Sequence, residues 1–324
     1  MLGAMNTNPG ARGLTAIAIA ATIAAGVLVA TQHRINGELG QQLDDGFTAA
    51  LISFGSGWLI LMAILAVSPR GQEGIRRVVT EVRARRVAPW LLLGGLGGAF
   101  LVLSQGLVAG VVGVAIFGVA TVTGQTISGL LADATGFAGG RRAPVTVSRA
   151  VGAALTLVAV VVAVGPRLDT DVPLAAIVLP LIAGIGIGLQ QAVNGRVRSE
   201  SGSALAATTL NFTVGTVALM VVTAVHLAIS GLPETPPTNP WLYLGGAVGA
   251  VFIAVQVVTV ARIGVLVLGL CLVAGQLAGA LVYDLVLPIG VPTTATTAIG
   301  VALTVLGVTI ASLPPRRATR PRSE

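Results

Sequence analysis

The sequence predicts an all-α membrane protein: ten transmembrane helices forming two inverted-topology five-helix repeats, with both termini on the cytoplasmic side (N-in/C-in). Three observations predict it. The composition is apolar and poor in charge, ten apolar runs alternate with arginine-bearing segments, and the chain contains an internal duplication.

The 324 residues are 54% hydrophobic and 10% charged, with a mean hydropathy of +0.92. Soluble domains carry about a quarter charged residues. A water-soluble fold of this length would leave too much of its apolar surface wet, so lipid is the natural solvent. The 43 glycines suit close helix packing in a bilayer. The net charge of +7 comes entirely from arginine on the basic side. Those arginines sit between apolar runs with no interleaved aromatics, so the charge reads as membrane topology and no nucleic-acid partner is expected. A single cysteine, Cys271, lies inside an apolar run. It permits no internal disulfide and reads as a small core residue. Two histidines and one cysteine build no metal cluster, and no cofactor is expected.

A spanning helix needs roughly 20 mostly apolar residues. Such runs lie near 14–31, 47–67, 89–109, 112–132 and 145–164, and again near 174–193, 204–229, 241–261, 264–283 and 294–313. Residues 89–132 carry no charge and are too long for one span, so the AGVVG stretch at 109–113 is predicted to be a hairpin. Its match in the second set is VARIG at 260–264, where Arg262 marks the break. The first run has some features of a signal peptide, with Arg12 before it and Thr31-Gln32 after it. A copy of it recurs mid-chain, where no cleaved signal sits, so it is read as a span.

With the N-terminus in the cytoplasm, 17 of the 19 arginines fall in cytoplasmic segments; only Arg34 and Arg167 fall outside. A miscounted span would scramble that split. The first repeat is assigned to 1–165, including a cytoplasmic loop at 70–88. A linker follows at 166–173, the second repeat at 174–313, and a cytosolic tail at 314–324 that is predicted to be disordered. In the loop, Ile75, Val78, Val79 and Val82 follow helical spacing with Arg and Glu on the other sides. That pattern suits a short amphipathic helix lying on the lipid surface, and a solvated linker stays open beside it.

The duplication is read residue by residue. Gln32, Asn36 and Gly37 of QHRING fall on Gln190, Asn194 and Gly195 of QQAVNG; at the same offset Phe54 meets Phe212 and Gly57 meets Gly215. PWLLLGGLGG at 89–98 matches PWLYLGGAVG at 240–249. Gln105 then falls on Gln256, Gly113 on Gly264, Gly124-Gln125 on Gly275-Gln276, and Asp133 on Asp284. Five spans is an odd number, so the second copy enters from the opposite side. The mismatches agree: Glu38 becomes Arg196 and Val111 becomes Arg262, with positive charge only in the copy whose loop is cytoplasmic. Two such units can exchange conformations about an in-plane pseudo-axis, which turns an outward-open site into an inward-open one.

Each half resembles a YdcZ-type, EamA-related unit of the drug/metabolite transporter superfamily. The matching motifs are Q…NG at the end of the first helix, Ser-Phe or Asn-Phe with a later Gly in the second, PW…GG in the third, and GQ followed eight residues later by Asp in the fourth. They cover most of residues 14–313 and are specific in combination, weak singly. The resemblance implies a ten-helix fold with a central cavity lined mainly by helices one, three and four of each half. It also implies a multi-pass protein of the bacterial inner (plasma) membrane that moves small molecules, and it names no substrate. Half-length relatives must pair; this chain resembles such a pair fused, and a homodimer stays open.

Polar groups inside lipid are costly unless paired or facing water, so each is a candidate. Gln105, Gln125, Gln256 and Gln276 lie within spans, and Gln32 and Gln190 near the ends of the first helices. A carboxamide both donates and accepts, so it either lines a path for neutral or zwitterionic solutes or bridges helices. Asn36 and Asn194, each followed by Gly, read as helix C-terminal stops and also as gates, one at each face. Asp133 and Asp284 end the fourth helix of each half. They read as solvated helix-end residues, with proton coupling or cation binding as the alternative. Their separation argues against an aspartyl protease pair, which must share a proton. His226 has no repeat partner and reads as interfacial packing. GGLGG at 94–98 and GGAVG at 245–249 follow no strand, so they read as close-packing surfaces and not as phosphate loops. Pro180 lies within the sixth span with no match in the first, so a kink there is open.

These readings favour a secondary, non-ATP transporter of small metabolites or drug-like solutes, working by alternating access and most simply as an exporter. No P-loop is visible, so energy comes from an ion gradient or from the substrate's own gradient. A non-transporting scaffold or sensor is the alternative, and a cavity reaching the midplane separates the two. No nucleophile and base lie together, so no enzymatic activity is expected.

Overall fold

A computed structural model of the chain describes residues 9–137, 145–164, 173–233, 235–287 and 294–312. The expected tail at 314–324, and all of the expected linker except Pro173, lie outside the described residues. So do Arg141, Arg142, Arg167 and the four arginines of the tail on which part of the topology rests.

The described residues are helical and contain no strand. In chain order the helices are α1 (Pro9–Gln42), α2 (Gly46–Ala66), α3 (Pro69–Arg83), α4 (Gly95–Ser104), α5 (Gly110–Val112), α6 (Val114–Thr135), α7 (Val147–Val164), α8 (Leu174–Ser201), α9 (Ala204–Ser230), α10 (Gly245–Val286) and α11 (Ala295–Ala311). A 3-10 turn, Pro89–Gly94, leads into α4, and a second, Pro240–Tyr243, precedes α10. A π turn, Gln105–Ala109, joins α4 to α5. Among the described residues, seven stretches are long and apolar enough to cross a membrane, and three shorter apolar helices, Val147–Ala163, Gly245–Gln256 and Ala295–Ala311, accompany them.

Local chemistry sets the helix ends. The Asp45 carboxylate accepts the backbone N–H of Phe47 at 2.9 Å and starts α2. Ser203 and Thr294 cap α9 and α11 in the same way. Gly113, at φ +86° and ψ 156°, holds a conformation that only glycine reaches cheaply; it divides α5 from α6 at the hairpin expected there. The expected helix stops at Asn36 and Asn194 are corrected. α1 continues through Asn36 to Gln42, and α8 continues through Asn194 until Gly202, at φ +64°, ends it. Gly37 and Gly195 have no positive φ; they are interior helix positions.

The predicted break at Arg262 is also corrected in its form. Helical hydrogen bonding runs through 260–264, and Gly245–Val286 is a single element. A straight helix of 42 residues would be about 63 Å long, twice the roughly 30 Å of a bilayer core. Its contacts with α1 show that it is not straight. Gln32 Nε2 donates to the Gly245 carbonyl at 2.9 Å, and Thr22 Oγ1 donates to Thr259 Oγ1 at 3.1 Å, so the first half runs antiparallel to α1. Gly26 then meets Gly275, and the Thr31 hydroxyl lies 2.9 Å from that of Tyr283. The Arg34 guanidinium reaches the Leu287 carbonyl. The second half therefore runs parallel to α1, and both ends of α10 lie beside the same end of α1.

Packing between the halves is reciprocal. α1 is flanked by the two halves of α10, and α8 by the α4 segment and α6. Gly26 lies on Gly275, and its counterpart Gly184 lies beside Gly124. Gly57 abuts the ring of Phe212 and Gly215 that of Phe54, while the two rings stack at 4.4 Å and 18° on each other. Gly95 meets the Asn211 carbonyl, as Gly246 meets that of Ser53. In α7 and α11, Gly152 meets the Gly307 carbonyl and Gly300 the Ala159 carbonyl. These approaches leave no room for a side chain. A Cβ on Gly26 would overlap the Leu272 carbonyl oxygen, and one on Gly184 that of Thr121. Gly26→Ala and Gly184→Ala should each cost about 2 kcal/mol, read as a fall in melting temperature in detergent. Gly129→Ala, which meets nothing within 4 Å, should leave it unchanged. Equal behaviour of all three would show that the close approach is not limiting.

The loop at 70–88 does contain a helix, α3, started by Ser68 and by Pro69 in its first turn. Val78 is buried in a cluster with Val193, Val197 and Ala207, while Gly71 and Gly74 lie against Leu205 and Ala206. Val78 on the apolar side of α3 thus faces the other half of the molecule, while Val79 stays 39% exposed.

Candidate functional site

A cavity of about 420 Å³ lies between the two halves. Its wall contains reciprocal pairs: Val29 and Ile187, Gln32 and Gln190, Ser53 and Asn211, Phe54 and Phe212, Gly98 and Gly249, Leu101 and Phe252, Val102 and Ile253, Gln125 and Gln276. The side chains come from α1, α2, α4 and α6 and from α8, α9 and α10.

The second half supplies further wall residues: Gln191, Asn194, Thr208, Gln256, Gly269, Leu272 and Val273. Their counterparts in the first half are His33, Asn36, Ala50, Gln105, Gly118, Thr121 and Val122, and all of these are buried away from the cavity. The cavity is thus symmetric at its centre and extends toward one end only, along the C-terminal part of α8.

The structure therefore splits the carboxamides singled out in the sequence. Gln32, Gln125, Gln190, Asn194, Gln256 and Gln276 line the cavity. Asn36 and Gln105 do not; both are fully buried, and Asn36 Nδ2 donates to Gln105 Oε1 at 2.5 Å. Around that pair the opposite end is closed by backbone contact. Gly37 meets Gly110, Gly40 and Gly46 meet Gly106, and Gln41 Nε2 donates to the Gly110 carbonyl at 2.6 Å. Gly195, the counterpart of Gly37, has nothing within 4 Å. The π turn at Gln105–Ala109 widens the helix where these glycines enter.

The aspartates differ in the same sense. Asp284 is not a solvated helix end. Its carboxylate is buried and accepts the N–H groups of Val114 at 2.9 Å and Ala115 at 2.8 Å, at the start of α6. Carboxylates suit that position because the first amides of a helix lack partners and carry the positive end of its dipole. Asp133, at the far end of α6, is 53% exposed and pairs with Arg149 at 3.1 Å. His226 stacks on Phe47 at 4.3 Å, with Nε2 3.4 Å from Asp45; it is not part of the cavity wall.

Several wall residues were not singled out from the sequence as site residues. Gln191 falls on His33 and Thr208 on Ala50, so duplication marked no like pair at either position. Ser53 and Asn211 sit in the Ser-Phe and Asn-Phe motifs, where the paired position was the available clue.

The fold and cavity define a multi-span helical membrane protein built around an uncharged polar chamber. The profile of one family, described as "Putative inner membrane exporter, YdcZ", matches twice, at residues 17–162 and 175–310. The chain belongs to this family and is a multi-pass inner-membrane protein of the transporter class. Comparison with curated proteins gives no match.

Proposed function

We propose that the chain is a secondary exporter of small solutes that works by alternating access across ten spans, arranged as two inverted repeats with both termini cytoplasmic. Gln32, Gln125, Gln190 and Gln276 are the central solute contacts in this reading. Asn194 and Gln256 line the open approach, and Asn36 with Gln105 close the other. One observation carries the proposal: residues that are equivalent by repeat are cavity wall at one end and buried seal at the other. Two similar units in unlike arrangements can exchange those arrangements, and the open end then moves to the other face. With α8 ending among the cytoplasmic arginines Arg196 and Arg198, the present opening faces the cytoplasm. Asp133 and Asp284 are latches in this scheme. Asp284 holds the seal now, and Asp133 takes the equivalent role at Gly264 after exchange. A chamber of this kind favours a carrier over a scaffold, which needs no cavity.

The seal suits reversal. Asn36 Oδ1, Gln105 Nε2 and the Ser104 hydroxyl are buried without hydrogen-bond partners, and such deficits lower its net stability. The test uses two cysteine variants in a Cys271→Ala background, Thr208→Cys and its counterpart Ala50→Cys, with a membrane-impermeant maleimide. Thr208→Cys should label from the cytoplasmic side. Ala50→Cys should label from outside only, and more slowly, as the empty carrier exchanges between its two arrangements. Equal labelling of both positions from one side would remove alternating access.

A further inference from the structure

We infer that the chamber takes nonionic solutes, hydrogen-bonding molecules that present a flat apolar face, and rejects cations and anions of the same size. The inference rests on the carrier reading and narrows its substrate class. Among the described residues lining the cavity, every polar side chain is a carboxamide or a hydroxyl and none is ionisable. A solute ion entering such a chamber loses its hydration and meets no counter-charge, which is costly in a low-dielectric site. Two charged pairs of the cytoplasmic segments are occupied with one another: Arg149 with Asp133 at 3.1 Å, and Arg196 with Glu200 at 2.7 Å. Contact with a phenyl ring returns about 0.5–2 kcal/mol to a cation, well short of that loss.

The same wall is well suited to a neutral solute. Carboxamides offer donors and acceptors together, so they match amide, carbonyl and hydroxyl groups in either sense. Phe252 is half-buried on the wall and offers apolar surface to a ring, beside the buried stack of Phe54 and Phe212. The volume of about 420 Å³ falls within the range of about 300–1,000 Å³ usual for small-molecule sites.

The experiment uses two matched sets of probes with the purified full-length protein: benzamide, benzoate and benzamidine, and nicotinamide, nicotinate and 1-methylnicotinamide. Thermal stabilisation in detergent is followed up to each solubility limit. The neutral member of at least one set should bind about tenfold or more tightly than both of its charged relatives. Gln256→Glu, or Gln125→Glu should the first fail to fold, should reverse the order in favour of benzamidine. A charged member binding the unaltered protein as tightly as its neutral relative would overturn the inference. So would the lack of binding by both neutral members. Either result leaves the carrier reading intact, because labelling at positions 50 and 208 needs no solute. Failure of that labelling with neutral-selective binding would instead spare the solute class.

Discussion

Asp284→Ala should open the sealed end of the molecule, whereas Asp133→Ala should change little, although the two residues are equivalent by repeat. The Asp284 carboxylate accepts two backbone N–H groups, at 2.9 and 2.8 Å, in a buried site. Removing it strands both donors in a place water does not reach, at about 2–4 kcal/mol in all. Since about 1.4 kcal/mol is a factor of ten, labelling of Ala50→Cys from outside should rise at least tenfold, with a clear fall in melting temperature. Asp133 meets Arg149 on a half-exposed surface, where an ion pair is worth about 0–1 kcal/mol. Asp284→Asn should fall between, because one acceptor remains. Equal effects of the two alanine variants would show that Asp284 does not hold the seal.

The second large effect concerns the buried carboxamide pair. Asn36→Leu leaves Gln105 Oε1 without its donor, and Gln105→Leu leaves Asn36 Nδ2 without its acceptor. Each single change should cost about 1–3 kcal/mol, while both together should cost much less than their sum. A double-mutant cycle on melting temperature should therefore give coupling of about 1 kcal/mol or more. Asn194 and Gln256 occupy the same positions in the other copy but are joined by no hydrogen bond, and both face the cavity. Their cycle should be additive. Coupling at 194 and 256 without coupling at 36 and 105 would reverse the assignment of open and closed ends.

Much of this site was legible in the sequence because a duplication marks positions twice. Gln32 with Gln190, and Gln125 with Gln276, stand out as polar pairs in apolar spans, and α1, α6, α8 and α10 bring them to one chamber. The pair Gly57 with Gly215 was legible too, and each abuts the ring of the facing phenylalanine. The hairpin at Gly113 followed from a charge-free run too long for one crossing.

Other features depended on contacts that no local pattern encodes. Gly37 after Asn36 suggested a helix stop, but the helix runs on because a glycine ends a helix only when tertiary contacts leave its φ free to turn positive. Arg262 suggested a break; the chain instead reverses while keeping helical hydrogen bonds, a geometry fixed by where both ends dock on α1. The apolar side of α3 fits lipid and protein alike, and the position of Val193 and Val197 turns Val78 to protein while Val79 stays exposed. Composition, periodicity and the repeat thus determined the helical membrane class, the paired design and the amides available to a solute. The tertiary structure decided which copy of each pair is exposed. Asn36 and Asn194 have nearly the same neighbours in sequence, and a difference between them belongs to the conformation of the whole molecule rather than to either residue.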